Sequence, residues 1–236
     1  MQPLIIARRF RGPTTSANGG YTCGRIAALA HDSVTVRLLA PPPLDTELLA
    51  ETHDGRLEVR HGAERIAEAR RGDVGALEAP PPPTYAEAVA AASRYTGFAT
   101  HPAAECFVCG PRREPGDGLR IFCGPVEPGE KLGAVAGPWV PDATLDGGDG
   151  CVAFEHVWAA LDCPGFHAVA PDMRLMLLGE LTARVERRVR IGERCTIVGW
   201  KIASSGRKHE AGTALYGADG DLCGIARAIW IEPRGG

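Results

Sequence analysis

The chain has 236 residues, 44% of them hydrophobic and 23% charged, with 26 lysines and arginines against 29 acids and a formal charge of −3. That length accommodates one large domain or two small ones around a sizeable core, and the near-balanced charge, without a basic run or tail, excludes an electrostatic case for binding nucleic acid. No apolar run approaches the roughly 20 residues needed to span a bilayer, residues 1–10 lack a signal-peptide core, and eight scattered cysteines suit a reducing compartment, so a cytoplasmic protein with no membrane partner is expected.

In chain order, residues 4–10 (LIIARRF) read as a short strand, and residues 11–20 (RGPTTSANGG) as a loop of turn formers ending in a glycine pair. A helix follows, then strand-like segments at 34–39, 47–52, 57–60 and 65–69. The run APPPP at 79–83 cannot extend a strand ladder and marks a stiff boundary. Beyond it Thr84 and Glu87 form a capping box ahead of an alanine-rich run, which predicts a linker helix at about 85–97.

The segment CFVCGPRREPGDGLRIF, residues 106–122, sets Cys106 and Cys109 in a CxxC pattern. Such a pair could be half of a zinc site or a redox pair. The nearest further candidates, Cys123 and His101, do not form a second pair at zinc spacing, so a packed loop is the favoured reading and no metal is expected.

Residues 146–165 (DGGDGCVAFEHVWAALDCPG) combine a glycine-rich turn with the apolar spacing of a buried helix at Val152, Phe154, Trp158, Ala159 and Leu161. Pro164 and Gly165 are expected to end that helix near Cys163. Unsatisfied amides at its start, around Gly147 and Gly148, would stabilise an oxygen that becomes negative during a reaction, and Glu155 puts a carboxylate nearby. Strands are expected at 179–191, 195–202, 209–216 and 222–232. In the first of these Arg184, Arg188 and Arg190 sit on alternate positions; they are either a solvated face or a contact for the phosphates of a coenzyme.

The stretch Asn18–Ala27 (NGGYTCGRIA) can be laid over Asp146–Glu155 (DGGDGCVAFE) with the glycine pairs and Cys23 against Cys151 in register. Each copy is then followed by a set of strands, the pattern of a duplication.

Two glycines and an acid at the seventh position after the second (155 − 148 = 7) resemble the central-helix signature of hotdog-fold thioesterases of the phenylacetyl-CoA and 4-hydroxybenzoyl-CoA types, although many relatives carry His where this chain has Asp146. Cys106, Cys109, Gly110, Gly118 and Leu119 also resemble the CFxCG and Gly-Leu lead-in of many single-copy hotdog proteins. The resemblance implies an α+β double hotdog, two copies of a long helix wrapped by an antiparallel sheet: an N-terminal hotdog at 1–78, a linker with a helix at 79–105, and a C-terminal hotdog at 106–236.

It further implies that the Gly147 and Gly148 amides polarise a thioester carbonyl while Glu155 acts as nucleophile or general base. The position equivalent to Glu155 in the first copy is Ala27 (27 − 20 = 7), so one site per chain would keep the chemistry. Asp162 is a second acid or, in the favoured reading, a partner for backbone donors. Asn18, with Gly19 and Gly20, either reaches substrate across the interface or satisfies its own loop, and Trp158 would enclose the substrate. The expected function is hydrolysis of an acyl-CoA or carrier-bound acyl thioester with no cofactor, by a chain that could pair as a homodimer. The alternative is a non-catalytic binder of acyl thioesters or lipids.

Overall fold

In the computed structural model, residues 1–30, 33–126 and 134–234 are described. Successive side chains of a strand point to opposite faces, and burial follows that period: β3 (Glu47–His53) buries Leu48 and Ala50 and exposes Glu47 and Leu49. β3 pairs with β1 (Gln2–Ile5) and β4 (Arg56–His61), and β5 (Glu64–Arg71) and β2 (Val34–Leu38) complete the first group. The second group comprises β6 (Gly124–Pro125), β7 (Val135–Trp139), β8 (Leu177–Val185), β9 (Cys195–Ser205), β10 (Lys208–Tyr216) and β11 (Leu222–Ile231).

All neighbours are antiparallel, in one sheet of order β1-β3-β4-β5-β2-β8-β11-β10-β9-β7-β6. Read inward from β1 the first group runs 1, 3, 4, 5, 2; read inward from β7 the second runs 7, 9, 10, 11, 8. The two groups thus have the same connectivity, and they meet where β2 pairs with β8, Thr35 opposite Thr182. At that junction the two buried hydroxyls lie 2.7 Å apart and satisfy each other inside the sheet.

Three helices pack together against the sheet. α1 (Gly19–Ala27) is opened by Asn18, whose Oδ1 accepts the Tyr21 N–H at 2.8 Å. α3 (Phe154–Ala160) crosses it antiparallel, since Gly20 of α1 faces Trp158 and Asp162, while Gly24 faces Glu155. Glycine is required at this crossing: a methyl group on Gly24 would stand 2.7 Å from Glu155 Cα, and one on Gly20 would collide with Asp162 Cβ. α4 (Cys163–Val169) follows α3 after a break at Leu161 and Asp162. α2 (Tyr85–Ala92) lies outside this layer, with both capping-box bonds of Thr84 and Glu87 formed.

Several local expectations differ from this arrangement. The second helix does not begin at Gly147 and Gly148; those residues lie in a surface loop closed by the Asp146–Val152 bridge, and α3 starts at Phe154. The Pro164-Gly165 pair starts α4 instead of ending a helix, because proline at the first helical positions lacks only an N–H that has no acceptor there anyway. The central helices are accordingly short, nine residues in α1 and seven each in α3 and α4. The linker helix stops at Ala92, before the expected 97, and a 3-10 turn follows at Thr96–Phe98. β8 ends at Val185, short of the expected 191, where Arg187 turns to pair with Glu193 and Asp221.

Candidate active site

The break between α3 and α4 places Asp162 in the protein interior, 1% exposed. Each side of the break is held. Thr213 of β10 donates its hydroxyl to the Leu161 carbonyl at 2.6 Å, satisfying a carbonyl left free at the end of α3. From the first half of the chain, Asn18 Nδ2 donates to Asp162 Oδ2 at 2.9 Å and the Gly20 N–H donates to the same oxygen at 3.0 Å. Asn18 has no freedom in this contact, because its Oδ1 is committed to capping α1 and its Nδ2 is thereby aimed at the carboxylate. Asp162 Oδ1 is buried without a hydrogen-bond partner among the described residues. Burial pushes the carboxyl up to about 7, with the neighbouring Cys106 adding to the rise and the Gly20 and Asn18 bonds opposing it.

Asp162, Asn18 and Gly19 all line a cavity of about 240 Å³ between the two halves, whose walls are mainly apolar: Leu38, Phe166, Met176, Leu178 and Trp230 among them. Gly19 is the first residue of α1, so its N–H has no acceptor within the helix. The cavity therefore brings together an apolar chamber, a carboxylate with one oxygen anchored and one free, and the amino end of a nine-residue helix.

The other sequence-predicted residues lie elsewhere. Gly20 sits behind Asp162 as a donor and as the close-approach point, outside the cavity lining. Trp158 is buried in the crossing of α1 and α3 beside Phe154, also outside that lining. Glu155 is half-buried at the second position of α3, packed on Gly24 and outside the cavity lining.

The amides around Gly147 and Gly148 are already occupied: Asp146 Oδ1 accepts from the N–H groups of Gly148, Asp149 and Gly150, and Gly147 N–H donates to the Cys151 carbonyl. Of the arginines at and beyond β8, Arg184 is bound to Glu186, Arg187 to Glu193 and Asp221, and Arg188 to Asp149.

Sequence reasoning did not connect the cysteines to this place. Cys106, Cys109 and Cys163 all line the same cavity, and Asn18 Nδ2 also faces Cys106 Sγ at 3.7 Å and Cys163 Sγ at 3.9 Å. The CxxC spacing was visible, but no local signal ties it to Cys163, more than fifty residues on (163 − 106 = 57).

No family model and no curated protein matches the sequence. Solved structures do match. The tesB protein of Mycobacterium avium subspecies paratuberculosis superposes with a TM-score of 0.59 at 14% identity, over 94% of this chain and 89% of that one. A thioesterase candidate from Novosphingobium aromaticivorans gives 0.64 at 12% identity, over 98% and 95%. The chain shares the fold of these proteins, the hotdog fold. A further thioesterase superfamily protein matches over 55% of this chain and 61% of its own length, with a TM-score of 0.48 at 21% identity. No described helix is long and apolar enough to cross a membrane.

Proposed function

We infer that this protein is a double hotdog thioester hydrolase with a single active site built from both halves, 1–78 supplying the amino end of α1 and 106–236 supplying Asp162. The linker, 79–105, would connect them and add His101, Pro102 and Ala103 to the cavity wall. The observation that carries this reading is the contact of Asp162 Oδ2 with Asn18 Nδ2 and Gly20 N–H at the wall of an apolar cavity, which leaves Oδ1 unpartnered. The duplication is supported by the matching strand connectivity of the two sheet halves.

In this proposal the acyl chain lies in the apolar cavity with its thioester carbonyl toward α1. Asp162 Oδ1 takes a proton from a water as that water attacks the carbonyl carbon. The carbonyl oxygen becomes negative and accepts the Gly19 N–H; one such preorganised donor is typically worth about 2.7–4 kcal/mol in other enzymes. The carbon–sulfur bond then breaks, the thiolate leaves, and the proton held by Asp162 neutralises it. The products are a carboxylic acid and a free thiol, from an acyl-CoA or a carrier-bound acyl group. Glu155 and the Gly147-Gly148 turn take no part.

The test is thiol release from a panel of acyl-CoAs of graded chain length, by the wild-type chain and by Asp162→Asn. Turnover that Asp162→Asn abolishes supports the proposal. Saturable binding of an acyl-CoA without any thiol release would make the chain a binder, and turnover undiminished in Asp162→Asn would remove the acid from its role.

A further inference from the structure

Beneath Asp162 three buried thiols meet. The Sγ atoms of Cys106, Cys109 and Cys163 all lie within 4.8 Å of one another, with Cys106 and Cys163 3.8 Å apart. A tetrahedral zinc ion with bonds of about 2.3 Å to sulfur sets its sulfurs about 3.8 Å apart, so this pair already stands at the spacing of two ligands. The thiols reach one point from separate segments, the loop carrying the CxxC pair and the start of α4. On α4 the residue four positions after Cys163 is His167, on the same helix face and 2% exposed. A ring nitrogen of His167 lies within 4.8 Å of Cys109 Sγ.

The hydrogen bonds around the cluster fix which atoms are free. Tyr95 donates its hydroxyl to the Cys109 carbonyl at 3.0 Å, so at its contact of 3.3 Å with His167 Nε2 the tyrosine oxygen is the acceptor and Nε2 carries the proton. His167 Nδ1 is then an unprotonated lone pair, buried and without a hydrogen-bond partner among the described residues. Of the three thiols, His167 lies beside that of Cys109, together with His101; an orphaned imidazole lone pair on a ring that reaches the cluster at Cys109 is what a metal would satisfy, and the Nε2–H bond to tyrosine is the outer-shell contact that orients a ligating histidine.

Two further N–H groups face the sulfurs. His101 accepts the Ala103 N–H at Nδ1, which leaves its Nε2–H directed at Cys109 Sγ 3.4 Å away, and Asn18 Nδ2 faces Cys106 and Cys163. Donors aimed at all three sulfurs suit thiolates better than thiols.

We propose that Cys106, Cys109, Cys163 and His167 bind one thiophilic divalent cation of the zinc class, in a closed Cys₃His site that pins the CxxC loop to the start of α4. Binding displaces three thiol protons, and the ion with three thiolates carries one net negative charge, which the N–H groups of His101 and Asn18 offset. Four protein ligands close the coordination, so the site is structural: it fixes the segment on which Asp162 stands. The inference does not depend on hydrolytic activity.

The test uses the full chain purified from zinc-supplemented cells. We expect about one equivalent of zinc to survive dialysis, and a mercurial reagent to release it as three thiols react. Replacement by cobalt should give sulfur-to-cobalt charge transfer and the intense ligand-field bands of a tetrahedral ion. Cys163→Ser and His167→Ala should lose the metal, while Cys123→Ser and Cys195→Ser keep it. Because the mercurial and cobalt measurements need no variant, a misfolded mutant does not blunt the test. Zinc-free protein that takes up no cobalt, a Cys106–Cys163 disulfide in freshly purified chain, or equal metal loss in the two control variants would each overturn the proposal.

Discussion

The two helices of the central crossing, α1 and α3, are built on one plan and differ in content. α1 starts at Gly19 and α3 at Phe154, so the halves correspond at an offset of 135 (154 − 19). At that offset Gly20 corresponds to Glu155 and Ala27 to Asp162. The first half thus keeps the capped, glycine-opened helix start and lacks the acid. In the second half the acid is present, but the helix opens on Ala153, whose side chain makes no cap, with Phe154 and Glu155 in place of the glycines. In the proposed enzyme each half has specialised in one part of the chemistry, and only the pairing of Gly19 and Gly20 with Asp162 forms a complete site.

The sharpest way to break that comparison is to remove the acid. Asp162→Asn leaves an oxygen for Asn18 and Gly20 to bind but no base, and kcat for thiol release should fall on the order of 10²-fold or more with a much smaller change in KM. Removing the anchor comes next. Asn18→Ala deletes the cap of α1 as well as the donor to Asp162; loss of such a cap alone costs about 1 kcal/mol. We therefore expect a lower denaturation midpoint in urea together with a kcat loss smaller than that of Asp162→Asn. An unchanged kcat would separate the cap from the site.

The converse substitution asks whether the first half could recover a site. Ala27→Asp puts a carboxylate at a buried position, 6% exposed, for which the 135 offset assigns Glu155 as the equivalent of Gly20, in place of a capped glycine helix. A buried polar group without a compensating partner costs about 1–3 kcal/mol on mutational scales. The variant should lose stability and gain no activity when the Asp162→Asn change is also present; recovered turnover in that double variant would show the two ends of the crossing to be interchangeable.

How much of this was legible in the sequence can be argued from the same residues. The period-2 segments located most strands, and the Thr84 and Glu87 capping box located the linker helix, because those signals are local. The matching connectivity of the two sheet halves had a counterpart in the sequence too, but the sequence alignment set Asn18 against Asp146, an offset of 128, one heptad away from the 135 of the helix starts. The reason is compositional: two glycine pairs and two cysteines match well, yet Gly147 and Gly148 serve a surface loop around Asp146 while Gly19 and Gly20 serve a helix crossing. Asn18 and Asp162 were each visible as candidates. Their meeting was not, since a contact across 144 positions depends on the antiparallel packing of α1 on α3. The same holds for Cys163 and the CxxC pair.

The smallest expected effect falls on Glu155, and it sharpens the comparison because the sequence alone favours this acid. Glu155 packs on Gly24 at the start of α3, half-buried and outside the cavity lining. Glu155→Gln keeps the length of the side chain and most of its packing, so stability should stay within about 0.5 kcal/mol, as for substitutions away from special features. Thiol release should keep its kcat and KM to within about threefold, against the roughly 10²-fold loss in Asp162→Asn. Both variants must be measured on the same acyl-CoA, since a poor substrate would compress the difference. Were Glu155→Gln to lose activity as deeply as Asp162→Asn, the carboxylate at the crossing of α1 and α3 would be acting on substrate from a position that the cavity does not reach. The acyl group would then have to enter along Gly24, and the role of Asn18 and Gly20 in holding Asp162 would be structural.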